Sequence, residues 1–312
     1  MNSTKTRKIV NKTPVLCTNC GFVGHIYKQC VAPVTSHGVI VFRVKPNEKG
    51  SWNPSRVLTE SETAITGLEN SGPVEFLLIQ RRDSLGFVEV MRGKYKLNEY
   101  EYIVRQLSGL TKRERERILS LPFQQLWDEL WGLDHSNFQY KAEKENSKIK
   151  FETLISKGLT NPVTNKQESI KEILDALGPG WETPEWGFPK GRRDPYETER
   201  TTCLREMEEE TGIRPEDVTV VENLEPLQET FFGTNNIHYC HKYRIVFISD
   251  KIKVEYDPTN EHMRREIGDL GWFSFEDAIE RIRKENVEKR EVLYRANTLL
   301  RNFCPFVLKS IE

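Results

Sequence analysis

No run of about 18 consecutive apolar residues occurs in this 312-residue chain, and its N-terminal stretch lacks the apolar core of a secretory leader. Those absences predict a soluble, intracellular protein without a membrane segment. Net charge is lacking too: 46 Lys and Arg stand against 47 Asp and Glu, a formal charge of −1. Overall charge therefore argues neither for nor against nucleic acid, and any attraction must come from local basic stretches. Cysteine is scarce. Of the six, three sit in one short cluster, while Cys203, Cys240 and Cys304 are scattered among apolar residues. This usage excludes a disulfide framework and points to a metal site and to core packing. The length suffices for a substantial core and for more than one folding unit.

The most constrained stretch is GRRDPYETERTTCLREMEEETGI, residues 191–213. Asp194 followed by Pro195, with Glu197 three residues after the Asp, predicts a capped helix start, and Gly212 predicts its stop. Cys203, Leu204, Met207 and Thr211 recur at helical spacing and form the expected buried stripe. Glu206, Glu209 and Glu210 then lie together on its flank. Three carboxylates within one turn repel each other by about a few tenths of a kcal/mol per pair, a cost that a hard divalent cation removes. Oxygen donors of this kind select Mg²⁺ or Mn²⁺. The plain alternative is a solvated helix face over Glu208 to Glu210, against which stand the helix signals and glycines around the run.

A second constellation lies near the N-terminus. Residues 1–13 are polar and basic and read as a disordered arm. Residues 14–35 contain CTNCGFVGHIYKQC, with Cys17, Cys20, His25 and Cys30 separated by gaps of two, four and four, and with Gly21 and Gly24 between them. Three thiolates and an imidazole closed over so short a loop suit structural Zn²⁺ in tetrahedral geometry. Ligands and glycines match the CCHC zinc knuckle residue for residue. Knuckles as a class bind single-stranded nucleic acid with stacking aromatics. Phe22 and Tyr27 are the candidates, with a purely structural or protein-binding clip as the alternative.

From residue 36 the chain turns β-rich. Gly38 to Val44 and Val74 to Arg82 read as buried strands joined by a loop. Residues 98–180 read as a helical insertion, with segments at YEYIVRQL, at TKRERERILSL opened by a capping box on Thr111 and Glu114, at PFQQLWDELWG, and over 139–157 and 164–177. Its first half is locally basic, so Lys112 and Arg113 are candidate RNA-backbone contacts, with ordinary solvated charge as the alternative. Trp127 and Trp131, four apart, read as helix core. Beyond the box come strands at VTVVENL, ETFFGTN and IHYCHKYRIVFISD with a turn at Thr234 to Asn236, then a helix capped by Ser274 and a terminal helix over 287–303. Mixed strands around one central helix suit an α/β/α sandwich whose first part is 36–97 and second part 181–312.

Gly191, Glu197, Arg205-Glu206, Met207, Glu209-Glu210, Gly212 and Ile213 occupy every fixed position of the Nudix box, so the chain resembles the Nudix hydrolases, which split X-linked nucleoside diphosphates with divalent metal. NEHMRREIGDLGWFSFEDA, residues 260–278, is similar to the segment of eukaryotic mRNA-decapping Nudix enzymes in which a glutamate approaches the metal, here Glu266. The early strands, LLIQRRDSLGFVEVMRGKYKLNEYEY and the helical insertion resemble decapping Nudix proteins of large nucleocytoplasmic DNA viruses, of the African swine fever virus and mimivirus kind. The resemblance implies metal binding by Glu206, Glu209, Glu210 and the backbone at Gly191. It also implies Glu209 or Glu210 as general base, with Glu266 as alternative base or further ligand, and a Glu197–Arg205 pair supporting the helix. Lys190 and Arg192 become candidate phosphate contacts, and Trp186, Phe231, Phe232 and Tyr239 candidate faces for a cationic methylated guanine. The implied activity is cleavage of the 5′ cap of mRNA, releasing 7-methylguanosine diphosphate and 5′-monophosphate RNA, in the host cytoplasm if the protein is viral. Its implied partner is capped mRNA, with single-stranded RNA held at the knuckle and the insertion. Hydrolysis of free dinucleoside polyphosphates or diphosphoinositol polyphosphates stays open, as does an RNA-binding protein with a vestigial hydrolase fold.

Overall fold

The computed structural model describes residues 16–44, 74–132, 138–302 and 308–310; the basic arm at 1–13, the loop at 45–73 between the first two strands, and Cys304 lie outside these residues. In chain order the elements are β1 (Val34–Val44), β2 (Val74–Arg81), α1 (Leu85–Arg92), α2 (Tyr100–Ser108), α3 (Lys112–Ser120), α4 (Phe123–Trp131) and α5 (Phe138–Lys157). There follow β3 (Leu159–Thr160), β4 (Gln167–Glu168), α6 (Ile170–Ala176), β5 (Trp186–Gly187), β6 (Lys190–Gly191), α7 (Glu199–Thr211), β7 (Val218–Val221), β8 (Leu227–Phe232) and β9 (His238–Ile248). The chain closes with α8 (Glu261–Glu266), β10 (Ile267–Phe273), α9 (Phe275–Arg281), α10 (Val287–Asn302) and β11 (Leu308–Ser310).

One mixed sheet organises the catalytic part, in the order β10-β2-β1-β9-β7-β11, with β5 on β2, β6 on β1 and β8 on β9. β1 runs parallel to β9 and antiparallel to β2 and β6. Its sequence is apolar without alternation because both of its faces are covered. Val39 and Val41 pack with Cys203, Leu204 and Met207 of α7 and Met263 of α8, whereas Ile40, Phe42 and Val44 pack with Ala278 of α9 and Val292, Leu293, Ala296 and Leu300 of α10. Helices on both faces make the α/β/α sandwich that the element order suggested. Met207 is fully buried, and its truncation to Ala would cost about 2–5 kcal/mol.

A separate apolar cluster holds the helical body together, drawing on Phe87, Ile103, Leu107, Phe123, Trp127 and Leu154 among others. Trp127 is buried and packs at a tilt against the partly buried Trp131, with 4.1 Å between ring centroids. A helix ahead of residue 98 shares this cluster: the Ser84 side chain accepts from Phe87 N to start α1, whose Phe87, Val90 and Met91 pack among the other helices. The helix expected over 164–177 is confined to α6. The residues before it form the β3–β4 hairpin, in which Asn165 takes a left-handed conformation, and the helix waits for the Ser169–Glu172 capping box. The capping box at Thr111 and Glu114 is present, and Glu114 also accepts from Ser84 N and Oγ, joining the starts of α1 and α3. Among the described residues no helix is long and apolar enough to cross a membrane.

Candidate active site and metal centre

The box folds as a short strand, a loop and a helix. β6 pairs with β1 through His37 opposite Gly191 and Gly38 opposite Lys190, which fixes the loop entrance against the centre of the sheet. The expected cap at Asp194 is not the cap. Tyr196 adopts a positive φ of 71°, incompatible with a helix already under way, and Thr198 caps α7 by accepting from Thr201 N at 3.1 Å. Asp194 instead donates its backbone N–H to Glu197 Oε2 at 3.0 Å. At the far end Gly212 closes the helix in the left-handed conformation, and Cys203, Leu204, Met207 and Thr211 are all buried.

Arg205 ties loop to helix. Its Nε donates to Glu197 Oε1 at 2.7 Å and its Nη2 to Glu197 Oε2 at 3.0 Å, a two-pronged pair, while Nη2 also reaches Arg192 O at 3.0 Å. Hydrogen bonding from Arg205 holds the Glu197 carboxyl down at about 2, against the opposing effect of burial. The remaining prong, Nη1, lies between Glu206 Oε1 (2.9 Å) and Glu209 Oε2 (3.0 Å).

Glu210 accepts from Lys190 N at 2.7 Å, so the last box carboxylate is bonded to the strand that precedes the box. Gly191 leaves room for the Glu206 carboxyl: a Cβ there would lie 2.0 Å from it and displace it. Burial pushes Glu206 up to about 7, with Arg205 opposing and the charges of Glu209 and Glu266 adding to the rise. Burial likewise pushes Glu210 up to about 8, opposed by Lys190 and reinforced by Glu206 and Glu266. Glu266, at the end of α8, therefore acts on the same site; its backbone oxygen accepts from Arg82 N at 2.8 Å. Half-buried, oxygen-only donors that repel one another suit a hard divalent cation, which would offset both the burial and the repulsion that raise Glu206 and Glu210.

Behind this cluster lies a polar network with no sequence motif. Glu229, buried, accepts from Tyr243 Oη at 2.8 Å and bonds His241 Nδ1 at 2.6 Å, with Lys289 Nζ at 3.5 Å. Burial would raise Glu229, but the Lys289 charge and the His241 and Tyr243 hydrogen bonds hold it at about 2. His241 is kept neutral chiefly by burial, at about 4. Lys190 is drawn into the same region: burial lowers its pKa, and Glu210, Lys289 and Glu229 are among the charges acting on it. The signal for this network was the cross-strand register that places Glu229 opposite His241, and register is not written in either strand alone.

The aromatic candidates separate. Trp186 is buried in the core, edge-on to Phe273, and so presents no face to a ligand. Phe231 and Tyr239 stack at 5.6 Å, and Phe232 lies on His238 at 4.7 Å with most of its ring exposed. In the helical body Lys112 is paired with Glu182 and Arg117 with Glu129 and Asp83, while buried Arg115 donates to Leu174 O and Gly178 O. Arg113 stays exposed. Much of the basic character read from the sequence is thus neutralised within the fold.

The ligand atoms of Cys17, Cys20, His25 and Cys30 all lie within 4.8 Å of one another, the one such group of three or more His, Cys, Asp or Glu among the described residues. Cys20 Sγ is 3.4 Å from His25 Nε2. A tetrahedral zinc with thiolate bonds of about 2.3 Å needs neighbouring ligand atoms roughly 3.8 Å apart, so the set fits that ion. Gly21, with φ +77°, supplies the left-handed backbone on which the loop turns back. A hydrogen bond from Asn19 is the main reason the Cys30 thiol falls to about 6. Phe22 is 72% exposed, and Tyr27 is 39% exposed with the Arg192 guanidinium 5.9 Å from its ring centre.

Residues 170–296 match the NUDIX domain model. β1 and β2 lie before that span yet complete the same sheet, because the helical body interrupts the domain in sequence. The chain is 27% identical over 348 aligned positions to a putative mRNA-decapping protein of Acanthamoeba polyphaga mimivirus, covering 92% of this chain and 95% of that one. It is 28% identical over 184 positions to the mRNA-decapping protein g5R of African swine fever virus, covering 59% of this chain and 70% of the relative. Against the m7GpppN-mRNA hydrolase of Saccharomyces cerevisiae the identity is 27% over 135 positions, 43% of this chain but 12% of that much longer protein. With a complete box and the helix that carries it inside the matched span, residues 170–296 are a NUDIX domain.

Proposed function

We propose that this protein hydrolyses the pyrophosphate of the 5′ cap of mRNA, releasing 7-methylguanosine diphosphate and leaving a 5′-monophosphate RNA. The observation that carries the reading is Glu206 beside Gly191, joined to Glu209 through Arg205 and sharing with Glu210 the charge of Glu266, in a chain similar, over nearly its whole length, to a viral decapping protein. Glu206, Glu209 and Glu210, with the backbone at Gly191, would hold Mg²⁺ or Mn²⁺. Bound there, the metal polarises a phosphoryl oxygen and makes water a better nucleophile.

The chain's own part in the reaction is to position and to move a proton. Glu209 or Glu210 takes the proton of the attacking water at a carboxylate oxygen, with Glu266 as the alternative base. Arg205 keeps Glu206 and Glu209 at fixed separation, and its pair with Glu197 holds the loop to the helix. The Phe231–Tyr239 stack and the exposed Phe232 offer faces to the cationic guanine. Residues 14–35, holding structural Zn²⁺, and the helical body would hold RNA beyond the cap, in the host cytoplasm where capped transcripts are engaged.

Cap-labelled RNA incubated with protein and Mg²⁺ or Mn²⁺, beside a panel of free dinucleoside and inositol polyphosphates, tests the proposal. Labelled 7-methylguanosine diphosphate, with turnover inhibited by long uncapped RNA, is the expected result. Turnover of the free compounds alone, indifferent to RNA, would refute it.

A further inference from the structure

The zinc loop is fastened to the catalytic body on two sides. Asn19, buried, donates from Nδ2 to Cys30 Sγ at 3.3 Å and to Pro33 O at 2.9 Å, and its Oδ1 accepts from Thr35 N at 2.8 Å. One amide thereby closes the loop and starts β1. From the other side, Arg193 of the Nudix loop runs against the turn of the zinc loop: a Cβ on Gly21 would lie 2.0 Å from its Nη1. The Arg193 side chain is 8% exposed, with Nη2 3.5 Å from both His37 Nε2 and Glu199 Oε1. Its Nε is buried without a hydrogen-bond partner among the described residues.

A cavity of about 230 Å³ opens at this seam, lined by Thr18, Asn19, Tyr27, Thr35, Arg192 and Arg193. It combines an aromatic ring, two guanidiniums and short polar groups. Glu199 is the carboxylate that touches Arg193, and it is shared with Lys242 Nζ at 3.2 Å, so the seam keeps an excess of positive charge. A planar ring beside cations and hydroxyls is the chemistry that recognises a nucleotide: a base stacks, and the adjoining phosphate meets the guanidiniums. Phe22, the more exposed aromatic of the loop, does not line the cavity. Arg192 directly follows Gly191, which touches Glu206, so whatever occupies the seam lies beside the hydrolytic cluster.

We propose that the seam between the zinc loop and the Nudix loop binds one nucleotide of single-stranded RNA, its base on Tyr27 and its phosphate toward Arg192 and Arg193. The inference rests on the decapping reading and makes the zinc loop a wall of the RNA path near the cleaved bond, with Tyr27 and not Phe22 as its stacking residue.

The test is fluorescence anisotropy of the zinc-loaded full chain with a short, uncapped, 5′-monophosphate RNA oligonucleotide. Binding is read without turnover, so failure of decapping would appear in cap release and failure of the seam in Kd. Tyr27→Ala should weaken binding about fivefold or more, Tyr27→Phe should retain it, and Phe22→Ala should change it less than about twofold. Arg192→Ala, at an exposed side chain, should weaken it about fivefold and reduce the salt slope by about one. Zinc content, measured for each variant, separates a lost contact from a lost loop. The proposal is overturned if Arg192→Ala leaves Kd and salt slope unchanged, if Phe22→Ala outweighs Tyr27→Ala at equal zinc content, or if an acidic peptide displaces the RNA as well as unlabelled RNA does.

Discussion

Between Cys17 and Cys30 a single loop brings four ligand atoms within 4.8 Å of one another, whereas the glutamates of the hydrolytic cluster come from α7 and the end of α8, with Arg205 set between two of them. The first set is drawn together by local spacing and by glycines that let the backbone turn. The second is assembled by the sheet, and burial, with mutual repulsion adding to it, pushes Glu206 and Glu210 up to about 7 and about 8. Ligands close in sequence make a site that precedes the fold; ligands distant in sequence make one that the fold must hold against repulsion.

That contrast breaks first, and most strongly, at the carboxylates. Replacing both Glu209 and Glu210 by Gln should lower cap release about 10²–10⁴-fold while leaving zinc content unchanged. Cap product at the unaltered rate would mean that the chemistry lies elsewhere. Next in size is Glu229→Gln, which leaves Lys289 and His241 beside a neutral amide in a buried site and should cost about 3 kcal/mol in urea unfolding. The same carboxylate sets a pH window. Its folded value of about 2 lies below the ordinary 4.5, so its stabilisation is complete above about 4.5 and is lost as pH falls toward 2. A variant whose acid unfolding matches that of the parent would remove Glu229 from the account.

The raised carboxyls have the opposite sign. Glu206 and Glu210 bind protons in the folded protein that the unfolded chain has released, so metal-free stability falls as pH rises from 4.5 through about 7 and 8. Stabilisation by Mg²⁺ should therefore be larger at pH 8 than at pH 6, by about 1–3 kcal/mol in thermal melts at fixed free metal. Equal shifts at both pH values would show that the ion does not meet these groups. The smallest effect expected is on the helix start: Thr198→Ala should cost about 1 kcal/mol, and Asp194→Ala less, because Thr198 and not Asp194 caps α7.

Much of this was legible in the sequence where one element decides its own fate. The gathering of Cys17, Cys20, His25 and Cys30, the buried stripe Cys203, Leu204, Met207 and Thr211, the Glu197–Arg205 pair and the Ser274 cap needed only local pattern. Asp194 misled because a proline after an acidic residue reads equally well as a turn, and Tyr196 supplies the left-handed residue of that turn. Trp186 reads as an available ring until the sheet covers it with α9 and α10. Glu266 was reached through resemblance alone. Glu229, His241, Tyr243 and Lys289 could not be reached, since they meet only through the register of β8 on β9 and the packing of α10 behind them.

The parallel pairing of β1 with β9 carries a consequence for how the molecule is made. It joins Val34 to Tyr239 and Phe42 to Phe247, so the central ladder of the sheet cannot close until synthesis has passed Phe247. The Cys/His cluster, whose four candidate ligands lie within 17–30, and the apolar cluster of the helical body, whose buried residues lie within 87–174, can form as each leaves the ribosome. Glu266 arrives later still. During synthesis the Cys/His cluster and the helices can thus be in place before the glutamates of α7 and α8 are brought together.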